Sequence, residues 1–390
     1  MSDVYVLDWV RTPRGKASPK GGLHEMSALD LLTGLQAALA ERTGLDGVDD
    51  VMIGVASQVG EQGADLARTA NLLSGWSAPG VTLNRFCASG IDAVATTAAR
   101  IRAGDHTLAV AGGVESVSRV PIFSDGGALW SDPEVVTAVG SVHMGIAADL
   151  NATREGFGRE ELDAYAVETH QKAAAAWESG AFDRSVVRLN DLARDELIRP
   201  GIDAAALAAL PPAFAERPDE DALVLSRYEA IEHLHTPGTS PQMADGAALL
   251  LLGTREQADR LGIAPRARIV SSATATCDPV LMLTAGQEAM ETAIARAGLT
   301  PDDMDVFEFA EAFAALCLRF RRDLGAGPDR MNPNGGTMAM GHAFGATGAI
   351  MVGGAIDELE RRHGRYAVAG VSGAAGLGVG VVLERVSHDH

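Results

Sequence analysis

The feature that most constrains this 390-residue chain is a long succession of apolar strands and helices that occurs twice. Near the N-terminus the β-rich run Val4-Tyr5-Val6-Leu7 opens a strand over residues 4–9. An amphipathic helix follows to about residue 41, with Ser27 and Asp30 as a capping-box-like start. Strands are then expected over 50–56, 80–86 and 107–112, separated by helices over 65–73 and 88–102. The same order returns as strand 267–274, helix 284–297, strand 305–309, helix 311–324, a glycine-rich loop, helix 345–362 and strands 366–371 and 378–385. Such alternation implies an α/β fold with a parallel or mostly parallel sheet and functional loops at the strands' C-terminal ends. A repeat this long is a domain duplication rather than a solenoid.

Residues 120–238 interrupt the pattern. They hold polar, Pro-rich stretches (Pro200-Gly201, Pro211-Pro212, Arg217-Pro218-Asp219) and alanine-rich helical sequence near 162–177. The expected organisation is a first half over 1–119, an inserted loop domain over 120–238, a return to the first half over 239–266 and a second half over 267–390. The net charge of −20, with no basic stripe, argues against a nucleic-acid partner, and a polyanionic ligand must meet a local basic patch. Cys87, Cys277 and Cys317 have no CxxC spacing, so neither a disulfide framework nor a zinc site is expected, and a reducing cytoplasm fits. No apolar leader or membrane span is expected.

The window 332–348, Asn-Pro-Asn-Gly-Gly-Thr-Met-Ala-Met-Gly-His-Ala-Phe-Gly-Ala-Thr-Gly, puts one histidine into a backbone with five glycines. That density implies positive φ angles or close backbone approach. His342 precedes a helix start and is a candidate base; taken alone, a satisfied histidine in a turn is an equally good reading. The duplication makes Asn84-Arg85-Phe86-Cys87-Ala88-Ser89-Gly90 its counterpart in the first half. Cys87 falls at a strand-to-helix junction, where free backbone N–H groups and the helix dipole are expected to stabilise a thiolate and cradle an oxyanion. A lone cysteine is most often an inert small core residue. Paired with His342 on the matching loop, the nucleophile reading becomes preferable.

With these residues in hand, the chain resembles the thiolases, acyl-CoA acyltransferases that form or cleave 3-ketoacyl-CoA. It looks most like the bacterial long-chain type related to the β subunit of the trifunctional fatty-acid-oxidation complex. The resemblance runs through Arg11-Thr12-Pro13-Arg14-Gly15-Lys16, the 84–90 loop, Gly112-Gly113-Val114-Glu115-Ser116, His143-Met144-Gly145, Asp245-Gly246-Ala247-Ala248, Glu311-Ala312-Phe313-Ala314 and the glycine-histidine loop. It implies a thiolase fold of duplicated β-α-β-α-β-α-β-β halves, in which two five-stranded sheets form an α-β-α-β-α sandwich under a CoA-covering loop domain. It also implies Cys87 as nucleophile, His342 as base, and substrate contacts at His143, Met144 and Ala374. No metal or cofactor is implied; acyl-CoA and CoA are substrates. The expected assembly is a homodimer or homotetramer, with a β-oxidation subunit as a further partner.

Four positions depart from the family's pattern. Ser372 stands where members carry a second acid/base cysteine, and Ala310 where an asparagine holds an oxyanion-site water. Ala343 follows the histidine in place of proline, and Pro241 replaces a pantetheine-contacting serine. Losing one oxyanion donor typically lowers the rate on the order of 10²- to 10³-fold. Three readings follow: a working 3-ketoacyl-CoA thiolase in which Ser372 or a water relays the second proton; a thiolase-like acyl-CoA-binding protein with weak or no Claisen activity; and a ketoacyl-synthase relative. The last lacks a His-Gly-Thr-Gly-Thr motif. Glu115 and Glu311 are assigned loop-holding roles, and Arg217 and Arg227 are both candidates for the CoA phosphates.

Overall fold

The computed structural model describes residues 3–387. The first half contains β1 (Tyr5–Arg11), the two-residue β2 (Gly15–Lys16), α1 (Ala28–Thr43), β3 (Asp50–Gly54), α2 (Leu66–Leu73), β4 (Val81–Leu83), α3 (Ser89–Ala103) and β5 (Leu108–Glu115). Ser27 caps α1 and forms the capping box with Asp30. The interrupting segment folds as α4 (Ala128–Ser131), α5 (Pro133–Val139), α6 (Met144–Glu155), α7 (Arg159–Glu178), α8 (Ala204–Ala208) and α9 (Pro218–Leu225). The chain returns through β6 (Ala244–Gly253) and α10 (Arg255–Leu261). The second half runs β7 (Ala267–Thr276), α11 (Ala285–Arg296), β8 (Val306–Phe309), α12 (Ala314–Leu324), the short α13 (Thr337–Met340), α14 (Phe344–Arg362), β9 (Tyr366–Gly373) and β10 (Leu377–Arg385).

These strands form one sheet in the order β4-β3-β5-β6-β1-β7-β10-β9-β8, with β2 beside β6. Read inward from its two ends, the order matches element for element. The counterpart of β4 is reduced to the single bridge between Phe307 and Met331. Within the sheet, the halves are joined at β1 and β7 through the residue pairs Tyr5–Arg268 and Val6–Ala267.

The expectation of a mostly parallel sheet is corrected. Only β3–β4, β3–β5 and β8–β9 are parallel. β5–β6, β6–β1, β1–β7, β7–β10 and β10–β9 are antiparallel. The cause is visible at β9 and β10, joined by the three-residue turn Ala374–Gly376, too short for the crossover that a parallel pair needs. β6 is buried along its whole length, so its apolar run has no alternation to mark it as a strand.

α1 and α2 cover one outer face, α11 and α12 the other, and α3 and α14 lie between the two halves of the sheet. Their crossing depends on missing side chains. A methyl group added at Gly90 would lie 2.4 Å from the carbonyl oxygen of Gly345, at Gly113 2.0 Å from the same oxygen, and at Gly348 2.6 Å from Ile91. Backbone therefore packs on backbone, and the N-termini of α3 and α14 are drawn together. One helical run, Pro133–Glu155, has the length and hydropathy of a membrane span, but 56% of its 18-residue apolar window is buried in the fold. Gly140, at φ +80°, ends α5 inside it.

Candidate active site

Cys87 sits on a turn that bonds to itself. Asn84 Oδ1 accepts from the N–H of Phe86 at 2.8 Å, Ser89 Oγ accepts from the N–H of Arg85 at 2.8 Å, and the same hydroxyl donates to the carbonyl of Phe86 at 2.6 Å. Asn84 Nδ2 ties the turn to the carbonyl of Ala56 at 2.9 Å. Phe86 is held at φ +49°, in the left-handed region that non-glycine residues rarely enter. Phe344 (φ +30°), Met282 (φ +52°) and Ala375 (φ +59°) are also left-handed, and all four line this site or the cavities beside it. Such clustering of strained backbone is typical of functional sites.

His342 is fixed from three directions. Its backbone pairs with the segment entering β6, donating to the carbonyl of Gln242 at 2.7 Å and accepting from the N–H of Ala244 at 3.0 Å. Gly341 (φ +103°) lets the loop pass, since a methyl group there would lie 2.7 Å from Ala244. The ring stands 2.9 Å from Thr347 Oγ1 through Nδ1. An Nδ1–H donated to that hydroxyl leaves Nε2 unprotonated and free to act. Behind the loop, Arg14 donates to the carbonyl of Gly341 at 3.3 Å, and the buried Arg11–Asp195 pair holds that segment at 2.8 Å.

The carboxylates earlier assigned to loops bond there. Glu115 accepts from the N–H groups of Ala56 (2.8 Å), Ser57 (3.1 Å) and Gly345 (2.9 Å) and from Gln62 Nε2 (2.8 Å). Glu311 accepts from Tyr165 Oη (2.8 Å), Thr169 Oγ1 (2.8 Å), Asn332 Nδ2 (3.1 Å) and the N–H of Met338 (3.0 Å).

One cavity of about 270 Å³ is lined by Cys87, His342, Ser372, His143, Met144 and Ala374 together, with Ala310 and Pro241 also in its wall. The residues expected to do chemistry or to line the substrate channel therefore border the same space, while Arg217 and Arg227 lie outside it. His143 is the N-cap of α6, where its Nδ1 accepts from the N–H of Gly145 at 3.0 Å. A second cavity of about 280 Å³ adjoins the first through His143, Met144 and Ala374 and reaches Arg217 and Glu220. Of the two candidate arginines, Arg217 is the one on a cavity wall; it pairs with Glu220 at 2.6 Å, while Arg227 lies 3.8 Å from Asp278.

One electrostatic expectation changes. Burial pushes the Cys87 thiol up to about 12, the Glu115 carboxylate adding to the effect, and only its own backbone N–H works the other way. The expected thiolate at a helix end is thus a neutral thiol. The N–H groups of Ala88 and Ser89 are already taken by the carbonyls of Arg85 and Phe86, so the helix start offers the sulfur little against desolvation. Burial, reinforced by Arg14, pushes His342 down to about 3, so the imidazole is neutral too. Ser372 is equally committed: its hydroxyl donates to the carbonyl of Leu283 at 2.7 Å and accepts from the N–H of Gly286 at 3.0 Å.

Sequence reasoning missed Thr347, Arg14 as a loop support, and the aromatic group Phe86, Phe123 and Trp130 beside Cys87. Thr347, five residues beyond His342 inside the same motif, was the one with a readable signal.

Family models match nearly all of the chain: "Thiolase, N-terminal domain" over residues 4–256 and "Thiolase, C-terminal domain" over residues 263–385. The chain is 35% identical to the "3-oxoadipyl-CoA/3-oxo-5,6-dehydrosuberyl-CoA thiolase" of Escherichia coli (strain K12), over 99% of this chain and 100% of that protein. It is 35% identical to the "3-ketoacyl-CoA thiolase" of Enterobacter sp. (strain 638) over the same shares. It is 33% identical to the "3-ketoacyl-CoA thiolase" of Bacillus subtilis (strain 168), over 98% of this chain and 100% of that one.

Proposed function

The chain belongs to the thiolase family and is an acyl-CoA acyltransferase; we propose that Cys87 is its acyl carrier and His342 its base. What carries this reading is that Cys87 and His342, at the starts of two equivalent helices, line one cavity with His143 and Met144. Both groups are neutral at rest, so activation takes the form of general-base catalysis. As Sγ attacks the ketone carbon of a 3-ketoacyl-CoA, its proton passes to Nε2 of His342. The bond between C2 and C3 breaks, acetyl-CoA leaves as its enolate and takes up, by way of Ser372 or a water, the proton that His342 holds, and the acyl group stays on sulfur. The thiol of CoA then attacks that thioester and gives its proton to His342, which passes it to the leaving Cys87 sulfur as the shortened acyl-CoA is released.

The pantetheine arm fits the passage past His143 and Met144, and Arg217 is the cation placed to meet a CoA phosphate. The acyl group travels on the protein's own sulfur, so the reaction calls for no resident cofactor. A cytoplasmic setting suits three cysteines that are all unpaired. For assembly we favour a homodimer through β4, a sheet edge flanked by Leu72 and Leu73, 61% and 66% exposed. Light scattering that gives a monomer mass would overturn that assembly.

The acyl carrier is tested by incubating the native protein with acetyl-CoA and mapping the added mass. One acyl group is expected on the peptide containing Cys87 and none after Cys87→Ser, a swap that hardly changes volume. Label on Cys277 or Cys317 instead would remove Cys87 from the mechanism.

A further inference from the structure

The helix that carries Arg217 is held to the rest of the protein by polar contacts more than by burial. A helix as short as α9, with eight residues, is marginal on its own. Only Val224 in it is buried, and Leu225 is 52% exposed. Arg217 is its N-cap residue, so the place of this cation on the cavity wall is set by where the helix lies. One polar anchor is Glu220, which pairs with Arg217 through Oε1 and accepts from the N–H of His143, the N-cap of α6, through Oε2.

The other anchor is His233, whose imidazole stands between two carboxylates. Its Nδ1 is 3.1 Å from Asp149 Oδ2 on α6, and its Nε2 is 3.2 Å from Asp221 Oδ2 on α9. A neutral imidazole has one N–H, so bonds in both directions call for a proton on each nitrogen, and both are then charge-assisted. Asp149 is fully buried and cannot give way. Its other oxygen accepts from the N–H groups of Leu234 (3.1 Å) and His235 (2.9 Å) and from His235 Nδ1 (2.8 Å). Asp221 has no such support: its Oδ1 is buried without a protein partner among the described residues. His233 therefore ties a weakly held carboxylate on α9 to a firmly held one on α6.

We propose that His233 is a positioning residue for CoA recognition: by bridging Asp149 and Asp221 it latches α9 onto α6 and keeps Arg217 in place for a CoA phosphate. This rests on Arg217 being the cation that meets the phosphate. His233 lines neither large cavity, so it acts through Asp221 and the helix rather than by touching the ligand. With the bridge cut, α9 spends part of its time elsewhere, and affinity falls by the fraction of molecules in which Arg217 is out of place. The loss falls on ligands that carry the phosphates and spares the arm alone.

The test uses the full-length protein and measures, by calorimetry, the binding of CoA and of pantetheine, which has the same thiol arm and no phosphate. The readout is the Kd of CoA relative to that of pantetheine within each variant. Two variants cut the bridge from opposite sides: His233→Asn, whose amide still reaches Asp149 but not Asp221, and Asp221→Ala. Each is expected to raise the ratio by roughly three- to tenfold, and the two together by no more than either alone, since they break one contact. Arg217→Ala is expected to raise it at least as far, with His233→Asn adding nothing on top. An unchanged ratio in both bridge variants, or a loss shared equally by CoA and pantetheine, overturns the latch and leaves the reading of Arg217 standing. An unchanged ratio in Arg217→Ala overturns the reading of Arg217, and the proposal with it.

Discussion

Cys87 shows how far a single residue's chemistry depends on its surroundings. Its place in a strand-to-helix turn is readable from Asn84 to Gly90, but its protonation is not, because desolvation comes from every element packed around it. Thr347 lay within reach of the sequence, five residues beyond His342 in the same motif, but only the folded loop turns the ring to within 2.9 Å of its hydroxyl. Ser372 carries the sharpest expectation at this scale. Its proton is held by the carbonyl of Leu283, and a hydroxyl is far less acidic than a thiol, so it serves poorly at the acetyl carbon. Acyl exchange between CoA thioesters needs chiefly Cys87, an oxyanion site and His342, and is expected to outpace carbon–carbon cleavage. Combining Ser372→Cys with Ala310→Asn is expected to raise thiolysis by at least roughly tenfold, with either change alone doing less, because residues acting as one unit are non-additive. Thiolysis near roughly 10 s⁻¹ in wild type, with no gain in the double variant, would show that the site uses another proton route.

Among the elements, the crossing of α3 and α14 decides where the chemistry is. The glycines were legible as sites of close approach; which backbones they approach was not, because Gly90 and Gly345 are far apart in sequence. Gly345→Ala would set a methyl group 2.7 Å from the carbonyl oxygen of Gly54 and 2.8 Å from Glu115 Oε2. It is expected to lower stability by about 1–3 kcal/mol and to slow acylation of Cys87 as the two helix starts move apart. Gly354→Ala, on the same helix with nothing within 4 Å of the added methyl, is the matched comparison. It is expected to be neutral or to stabilise by up to about 1 kcal/mol, the ordinary gain for glycine to alanine within a helix. Urea midpoints for the two variants check the contrast; equal shifts would mean that the crossing tolerates a side chain at Gly345.

At the scale of the whole molecule, buried carboxyls tie stability to pH. Burial pushes Glu308 from 4.5 up to about 8, with Glu358 and Glu311 adding and Arg14 and Arg362 opposing. Between those values the folded chain holds a proton that the unfolded chain has released, so the contribution of Glu308 to stability falls as pH rises from about 5 to 8. Burial raises Glu115, Asp245 and Asp357 as well, which act in the same direction, whereas His342, pushed down to about 3, acts the other way below the ordinary imidazole value. Glu308→Gln is expected to remove on the order of 3–5 kcal/mol of that decline, seen as a flatter dependence of the urea midpoint on pH; an unchanged slope would mean that Glu308 is charged throughout. From the sequence alone came the doubled strand–helix succession, the turn carrying Cys87 and the glycine loop carrying His342, because periodicity and backbone permissiveness are local properties. Only the tertiary structure decided that β6 and β10 return antiparallel, that thiol and imidazole are both neutral, and that Trp130 stands beside the sulfur. Those outcomes depend on which distant segments exclude water from one another, and neighbouring residues in a sequence do not encode that exclusion.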